Sequence, residues 1–191
     1  LFGRYGTGAV RPSDRQPGVA LENRCLEPGA LAALPQRGGV HDPIAERAAV
    51  RRVPIEVLDT ASVESAVASC PEAVVHLAAI ASGADARRDV GVAWAVNAAG
   101  TARLADALGR SRERGASDPV LLVVSSGEVY GGGVDRPRRE DDPLRPCSPY
   151  AASKVGAEVA AQEVGRRTGL RVVIARPFTH TGPGQSDRAV T

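Results

Sequence analysis

Aromatic side chains are scarce. Trp, Tyr and Phe together make up 3% of the 191 residues, so a core must be assembled from Ala, Val and Leu. Cysteine is nearly as rare. Cys25, Cys70 and Cys147 are odd in number and far apart. They form neither a CxxC metal pattern nor a disulfide framework, and read as incidental residues in a reduced, cytoplasmic setting. No metal site is indicated. No apolar run approaches the roughly 20 residues needed to span a bilayer, and no secretory signal opens the chain. Charge of one sign is also lacking. The formal net charge is +2, which gives no argument for nucleic acid or membrane as a partner. Small arginine clusters at 87–88, 138–139 and 166–167 read as solvated faces. There are no internal repeats.

What is present falls into two unequal parts. Residues 1–52 are rich in Gly, Pro and Arg, as in GRYGTGAVRPSDRQPG and LPQRGGVHDP. They contain no strand-like apolar run of five and read as an atypical, poorly ordered segment, with short helices conceivable at 29–34 and 44–51. From residue 53 the pattern becomes regular. VPIEVL (53–58), AVVHLAA (73–79), PVLLVVSS (119–126) and LRVVIA (170–175) read as strands. Asp59 and Ser62 offer caps for a helix through VESAVASC. A helical stretch over about 89–114 has Val92, Val96, Ala99 and Leu104 close to one stripe. SPYAASKVGAEVAAQEVGRR (148–167) predicts a helix capped by Ser148, with Pro149 in its first turn and Gly169 as its stop. Between these last elements, 131–148 is a polar, Pro-rich loop.

Strands alternating with helices, the strands continuously apolar, predict an α/β fold with a parallel sheet covered on both faces. Ligands bind such sheets at the carboxyl ends of the strands. HLAA (76–79), SSGE (125–128) and RPFTH (176–180) all fall there.

Two tyrosines compete for attention. Tyr150 and Lys154 stand four residues apart on a predicted helix, which puts them on one face. A free phenol, with a pKa near 10, is a poor acid or base at neutral pH. A neighbouring ammonium favours the phenolate. Ser126, at a strand end, can hold a substrate oxygen beside the phenol, and the three make a proton-transfer site for carbonyl–alcohol chemistry. Tyr130 has no lysine four residues on and reads as a packing residue. His76, at the end of its strand, reads as a satisfied structural histidine.

The ordered set HLAA (76–79), NAAGT (97–101), SSGEVYG (125–131), SPYAASK (148–154) and ARPFTHTGPGQ (175–185) resembles the extended short-chain dehydrogenase/reductases, the NAD-dependent epimerase/dehydratase family. The resemblance covers about residues 53–185. It implies a Rossmann-like, doubly wound parallel sheet, NAD or NADP as cofactor, and a nucleotide sugar as substrate. Within the family the motifs look most like the GDP-mannose branch, with its 4-keto-6-deoxy-mannose reductases and its 4,6-dehydratases. SSGEVYG leans toward the reductases.

By this resemblance Tyr150 is the acid/base, Lys154 its partner and a ligand of the nicotinamide ribose, and Ser126 the hydroxyl that orients the carbonyl. Three roles stay open for Glu128: removing a C5 proton as in the dehydratases, positioning substrate, or purely structural. Leu77, Ala78 and Ala79 match the segment lining the cofactor ribose and pyrophosphate. Asn97 matches an asparagine that supports the cofactor site, and Pro177 falls on the cofactor side. Glu56 and Val57 match the acidic–apolar pair near the adenine, with Glu in place of the usual Asp. Phe178, Thr179 and His180 fall where the family contacts substrate, with Thr179 replacing an expected asparagine. The resemblance further suggests a homodimer through the tyrosine-bearing helix and its long neighbour.

Part of the family pattern is not found. Family members open with a strand and GxxGxxG, whose glycines let backbone approach the pyrophosphate. LFGRYGTGAV offers Gly3, Gly6 and Gly8 in GxxGxG spacing, followed by Pro12. In the strand order 3-2-1-4-5-6, the strand at 53–58 and the strand at 73–77 are not neighbours. The expectation is a fragment, with residues 53–191 a partial Rossmann-like domain incomplete at both ends. An inactive relative unable to hold cofactor is the alternative reading.

Overall fold

The computed structural model describes residues 53–133 and 135–180, together with the backbone of two short strands, β1 (Val19–Ala20) and β2 (Arg51–Arg52). The helices suggested at 29–34 and 44–51, the glycines of LFGRYGTGAV, and residues 181–191 lie outside the described residues. β1 and β2 pair in parallel, Val19 with Arg51 and Ala20 with Arg52. A separate sheet is built from β3 (Ala73–His76), β4 (Val120–Val124) and β5 (Arg171–Ala175), in that order and all parallel. Among the described residues no strand pairs with the outer edge of β3.

One sequence expectation fails here. Residues 53–58 are not a strand; the ladder stops at Arg52 and the chain turns through Val57–Leu58. The turn has local causes. The Glu56 carboxylate accepts the Leu58 N–H at 2.9 Å, and the Asp59 N–H closes back on the Glu56 carbonyl at 3.0 Å. Such bonds satisfy backbone groups that a strand would have offered to a neighbour. Asp59 then caps α1 (Thr60–Val67), accepting the Ala61 N–H. Ser62 takes no part in that cap and accepts the Glu56 N–H instead.

The main core lies on one face of the three-stranded sheet. Val74, Leu121 and Val123 meet Val63 and Val67 of α1, Leu104 and Leu108 of α4 (Thr101–Glu113), and Ala161 and Val164 of α5 (Pro149–Thr168). The opposite face carries Val75 and Val173, both about half exposed. The strands thus alternate in burial, unlike the two-sided covering that their apolar composition suggests.

Two short helices, α2 (Gly83–Arg88) and α3 (Val90–Trp94), precede a π-helical turn over Ala95–Gly100 that runs directly into α4. This is the predicted stretch at 89–114, but its buried stripe differs. Ala93, Val96, Asn97, Gly100, Thr101 and Leu104 face inward, whereas Val92 and Ala99 are exposed. Val96 and Leu104 keep their expected places, while Ala93 and Gly100 are buried instead of Val92 and Ala99, and Asn97 and Thr101 meet buried polar partners on the same face. At Gly100 an added Cβ would stand 3.0 Å from the Val57 side chain.

α5 forms where the sequence puts it. Ser148 accepts the Ala151 N–H at 3.1 Å and Pro149 occupies the first turn. Gly169, at φ 73°, closes the helix in the left-handed conformation that glycine tolerates. Among the described residues, no helix is long and apolar enough to cross a membrane.

Candidate active site

β4 delivers its C-terminal end to the first turn of α5. Ser126 caps a 3-10 turn (Gly127–Tyr130), its hydroxyl accepting the Glu128 N–H at 3.2 Å. The same hydroxyl lies near the Tyr150 phenol. Tyr150 is buried, and burial pushes its phenol above the ordinary value of 10.0. The neighbouring Ser126 hydroxyl works against that rise, and the Glu128 carboxylate adds to it.

Lys154, the single lysine of the sequence, lies one turn along α5. Its ammonium donates to the Val124 carbonyl at 2.9 Å and stands 5.9 Å from the centre of the Tyr150 ring. Burial brings its pKa down to about 8, with the Glu158 charge opposing. The pair therefore differs from the simple expectation. The phenol is raised by its burial, and the ammonium is engaged with the backbone of β4.

Behind this face lies a buried polar chain. Asn97, in the π-helical turn, accepts the Ile80 N–H at 2.8 Å and donates to the Ile80 carbonyl and to the Ser153 hydroxyl. Ser153 donates onward to the Tyr150 carbonyl at 2.8 Å. Asn97 thus ties the loop after β3 to the turn carrying the tyrosine. A wide π turn at such a position is common near functional sites. His76 bonds through Nε2 to the Thr101 hydroxyl at 2.9 Å, and that hydroxyl gives its own proton to the Asn97 carbonyl. The His76 Nε2 must therefore carry the proton. Burial, helped by the Lys154 charge, lowers its pKa to about 4, so it is a neutral, satisfied histidine.

With this arrangement in view, the resemblance can be measured. The profile of the NAD dependent epimerase/dehydratase family matches residues 16–191. The chain belongs to that family. Its members include NAD(P)-dependent nucleotide-sugar reductases, dehydratases and epimerases. The chain is similar to the GDP-6-deoxy-D-mannose reductase of Pseudomonas aeruginosa, 41% identical over 122 residues, covering 63% of this chain and 39% of that protein. It is also similar to the dTDP-4-dehydrorhamnose reductase of Streptomyces griseus, 38% identical over 136 residues, covering 71% and 43%. Among solved structures it resembles RMD from P. aeruginosa complexed with NADPH, with TM-score 0.64 and 35% identity over 73% of this chain and 48% of that one. It also resembles DesIV, a dTDP-glucose 4,6-dehydratase from Streptomyces venezuelae with NAD and TYD bound, with TM-score 0.66 and 30% identity over 73% and 41%. The chain thus spans less than half the length of each of these relatives.

The other residues that the family pattern singles out are placed as follows. Leu77 is exposed just beyond β3, Ala78 is buried, and Ala79 is half-buried. Glu56 is exposed, but its carboxylate is turned onto the Leu58 N–H. Val57 is not a surface residue. It packs with Ala78 and Val96. Glu128 is exposed beside Tyr150 and accepts a hydrogen bond from the Ser148 hydroxyl at 3.3 Å. The Pro177 carbonyl accepts the Gly127 N–H at 2.7 Å, which joins the loop after β5 to the 3-10 turn. Phe178, Thr179 and His180 are exposed, with Phe178 stacked on Tyr130 at 6.3 Å and His180 Nδ1 bonded to the Phe178 carbonyl.

Three residues that the sequence reading did not single out, Ser125, Glu158 and Arg176, form a buried cluster against Tyr130. Glu158 carried a usable signal. It continues the 150, 154 spacing by one more turn and so shares their face.

Proposed function

We propose that this chain carries the proton-transfer part of a nucleotide-sugar oxidoreductase that reduces the 4-keto group of a GDP-6-deoxy-hexose, with Tyr150 as proton donor. The observation that carries the reading is the grouping of the Ser126 hydroxyl, the Tyr150 phenol and the Lys154 ammonium where the end of β4 meets α5. Reduction of a ketone places negative charge on its oxygen. Ser126 is set to hold that oxygen, and Tyr150 to give it a proton. A phenol raised by burial stays protonated at neutral pH, as a donor must.

The residues present fit a nicotinamide cofactor, NADP or NAD. Lys154 is an ammonium with three donors, and the small Ala78 and Ala79 at the carboxyl end of β3 let backbone come close to a ribose or pyrophosphate. When bound, such a cofactor supplies the hydride. Lys154 and Tyr150 would hold its ribose, Leu77–Ala79 and Pro177 would line it, Asn97 would support that segment, and Glu56 would face the adenosine end.

The GDP sugar is favoured by the 41% identity to the P. aeruginosa reductase. Phe178, Thr179 and His180 would meet the sugar nucleotide, with Thr179 offering a hydroxyl where an amide is usual. A second reading, GDP-mannose 4,6-dehydratase, is favoured by Glu128. Its carboxylate lies close enough to act on Tyr150 and is oriented by Ser148, as a base for the C5 proton would be. The other alternative is an inactive relative unable to bind cofactor.

The homodimer belongs to the same proposal. An apolar groove on the outer side of α5 is lined by Trp94, Val155, Gly156, Val159 and Ala160. Trp94 and Val159 are about half exposed, and Trp94 lies so close to Gly156 that an added Cβ would stand 2.8 Å from its ring.

The deciding experiment offers the chain GDP-4-keto-6-deoxy-D-mannose with NADPH or NADH, and in parallel GDP-mannose with NADP or NAD. Loss of absorbance at the reduced nicotinamide in the first mixture supports the reductase. A 4-keto product in the second supports the dehydratase. Neither reaction, with no cofactor binding at millimolar concentration, overturns both and leaves the inactive relative.

A further inference from the structure

Arg176 follows β5 and makes a five-bond fork. Its Nε and Nη2 donate to both oxygens of Glu158, at 2.7 to 3.2 Å. Its Nη1 donates to the Tyr130 hydroxyl at 2.8 Å and to the Glu140 carbonyl at 3.0 Å. Glu158 is 1% exposed and also accepts from the Ser125 hydroxyl. The guanidinium lies 5.1 Å from the centre of the Tyr130 ring, which also meets Arg138 at 5.8 Å and the stacked Phe178.

The four segments joined here carry the candidate site. Ser125 immediately precedes Ser126. Tyr130 ends the turn that bears Glu128. Arg176 immediately precedes Pro177 and Phe178. Glu158 stands one turn beyond Lys154 on the helix that begins with Tyr150. A buried ion pair costs desolvation, and its net stabilisation is often small. A planar fork does, however, fix direction as well as distance. Here it holds the strand end, the 3-10 turn, the 131–148 loop and the tyrosine helix in one register.

We propose that Arg176 and Glu158 are a positioning pair for the reaction, setting Ser126 and Phe178 at the distance from Tyr150 that proton transfer to a bound sugar requires. The proposal rests on the reading of Ser126, Tyr150 and Lys154 as the reacting site. Arg176 and Glu158 need not touch substrate. Their effect is transmitted through residues adjacent in sequence, and small misplacements of reacting groups are costly in rate. Glu158 has a second link to the site through its charge, which supports the protonated state of Lys154. The other ionisable groups near that ammonium are the phenol of Tyr150, on the same helix face, and His76 from β3, neutral at working pH.

The test compares Arg176→Lys, Glu158→Gln and Ser125→Ala with the wild-type chain, after circular dichroism has shown each to be folded. Arg176→Lys keeps the charge and loses the fork. We expect kcat to fall about ten-fold or more while KM for NADPH changes less than about two-fold, the signature of lost orientation rather than lost binding. Glu158→Gln should also move the alkaline fall of activity to lower pH, which a merely structural role would not do. Ser125→Ala, the mildest change, should show a smaller loss of kcat in the same direction. If kcat stays within about two-fold in folded Arg176→Lys and Ser125→Ala, the proposal is wrong. Should Glu158→Gln fail to fold, those two variants decide alone. Should the wild-type chain turn over no nucleotide sugar, the reading of the site fails separately. Amide exchange at residues 126–131 then still decides whether the fork fixes this turn: faster exchange in Arg176→Lys supports it, and unchanged exchange overturns it.

Discussion

The Ser126 hydroxyl lies beside the Tyr150 phenol, where the end of β4 meets the first turn of α5. They are twenty-four positions apart in the sequence, with the whole 131–148 loop between them. A contact of this kind between a strand end and a helix start would be a minor packing detail if either hydroxyl had an apolar environment to fill. Tyr150 instead has the Lys154 ammonium 5.9 Å from the centre of its ring and the Glu128 charge acting on its phenol.

If Tyr150 is the proton donor, Tyr150→Phe should lower the reduction rate by about 10²-fold or more with little change in folding. Tyr130→Phe provides the contrast. It removes the acceptor of an Arg176 hydrogen bond in a buried setting, so it should cost about 1 kcal/mol of stability. Its effect on rate should fall well short of that of Tyr150→Phe. Steady-state rates with the keto-sugar and urea unfolding of both variants check this, and equal rate losses would remove Tyr150 from its role.

Lys154 gives a pH dependence with a definite sign. Its pKa is about 8 in the fold against an ordinary 10.5, because burial disfavours the ammonium. Between these values the unfolded chain holds a proton that the folded chain has released, so this group makes stability rise with pH across the window. Activity should run the opposite way, falling as pH climbs through about 8 and the ammonium is lost. Because the sequence contains a single lysine, one isotope-labelled lysine signal reports this titration directly. A midpoint near 10.5 would show that the ammonium is not buried as described.

His76 acts on the acid side. Its pKa is about 4 against 6.5 for a free histidine, chiefly through burial. As pH drops from 6.5 to 4 the unfolded chain takes up a proton that the folded chain refuses, so stability should fall, by about 3 kcal/mol at most. His76→Gln keeps a donor for the Thr101 hydroxyl without the titration. Its denaturation midpoint should therefore lose less between pH 6.5 and 4 than that of the wild type. An identical acid loss in both proteins would assign it to other groups.

How much of this was legible in the sequence depended on range. β4, α5, its Ser148 cap and its Gly169 stop were readable because their signals are local. Tyr150 and Lys154 were readable for the same reason, being one helical turn apart. VPIEVL failed as a strand because Glu56 and Ser62 satisfy the local backbone N–H groups, a competition that apolar composition does not reveal. The inward stripe of the 89–114 stretch is not legible at Val92 and Ala99, because the interior face also takes the polar Asn97 and Thr101. Glu158 and Arg176 escaped notice because charged residues are read as surface by default, and their pairing spans 18 residues and two elements.

The exposed side of α5 yields the last prediction. Val159 is 58% exposed and Trp94 43%, on a groove that is also lined by the small Gly156 and Ala160 and by the charged Asp106, Glu163 and Arg167. An apolar surface with small residues and both signs of charge suits close approach of a second helix pair. A second copy of this chain, turned by a two-fold axis, would bring such a pair with matching chemistry. Val159→Glu places a carboxylate in the middle of the stripe. Because the side chain points outward, the monomer fold should lose no more than about 0.5 kcal/mol. Dimerisation should weaken by about ten-fold or more, since the charge would be buried unpaired in the interface. Sedimentation across a concentration series reads this directly. A wild-type chain that sediments as a monomer at every concentration, indistinguishable from Val159→Glu, would show that this face does not join two copies.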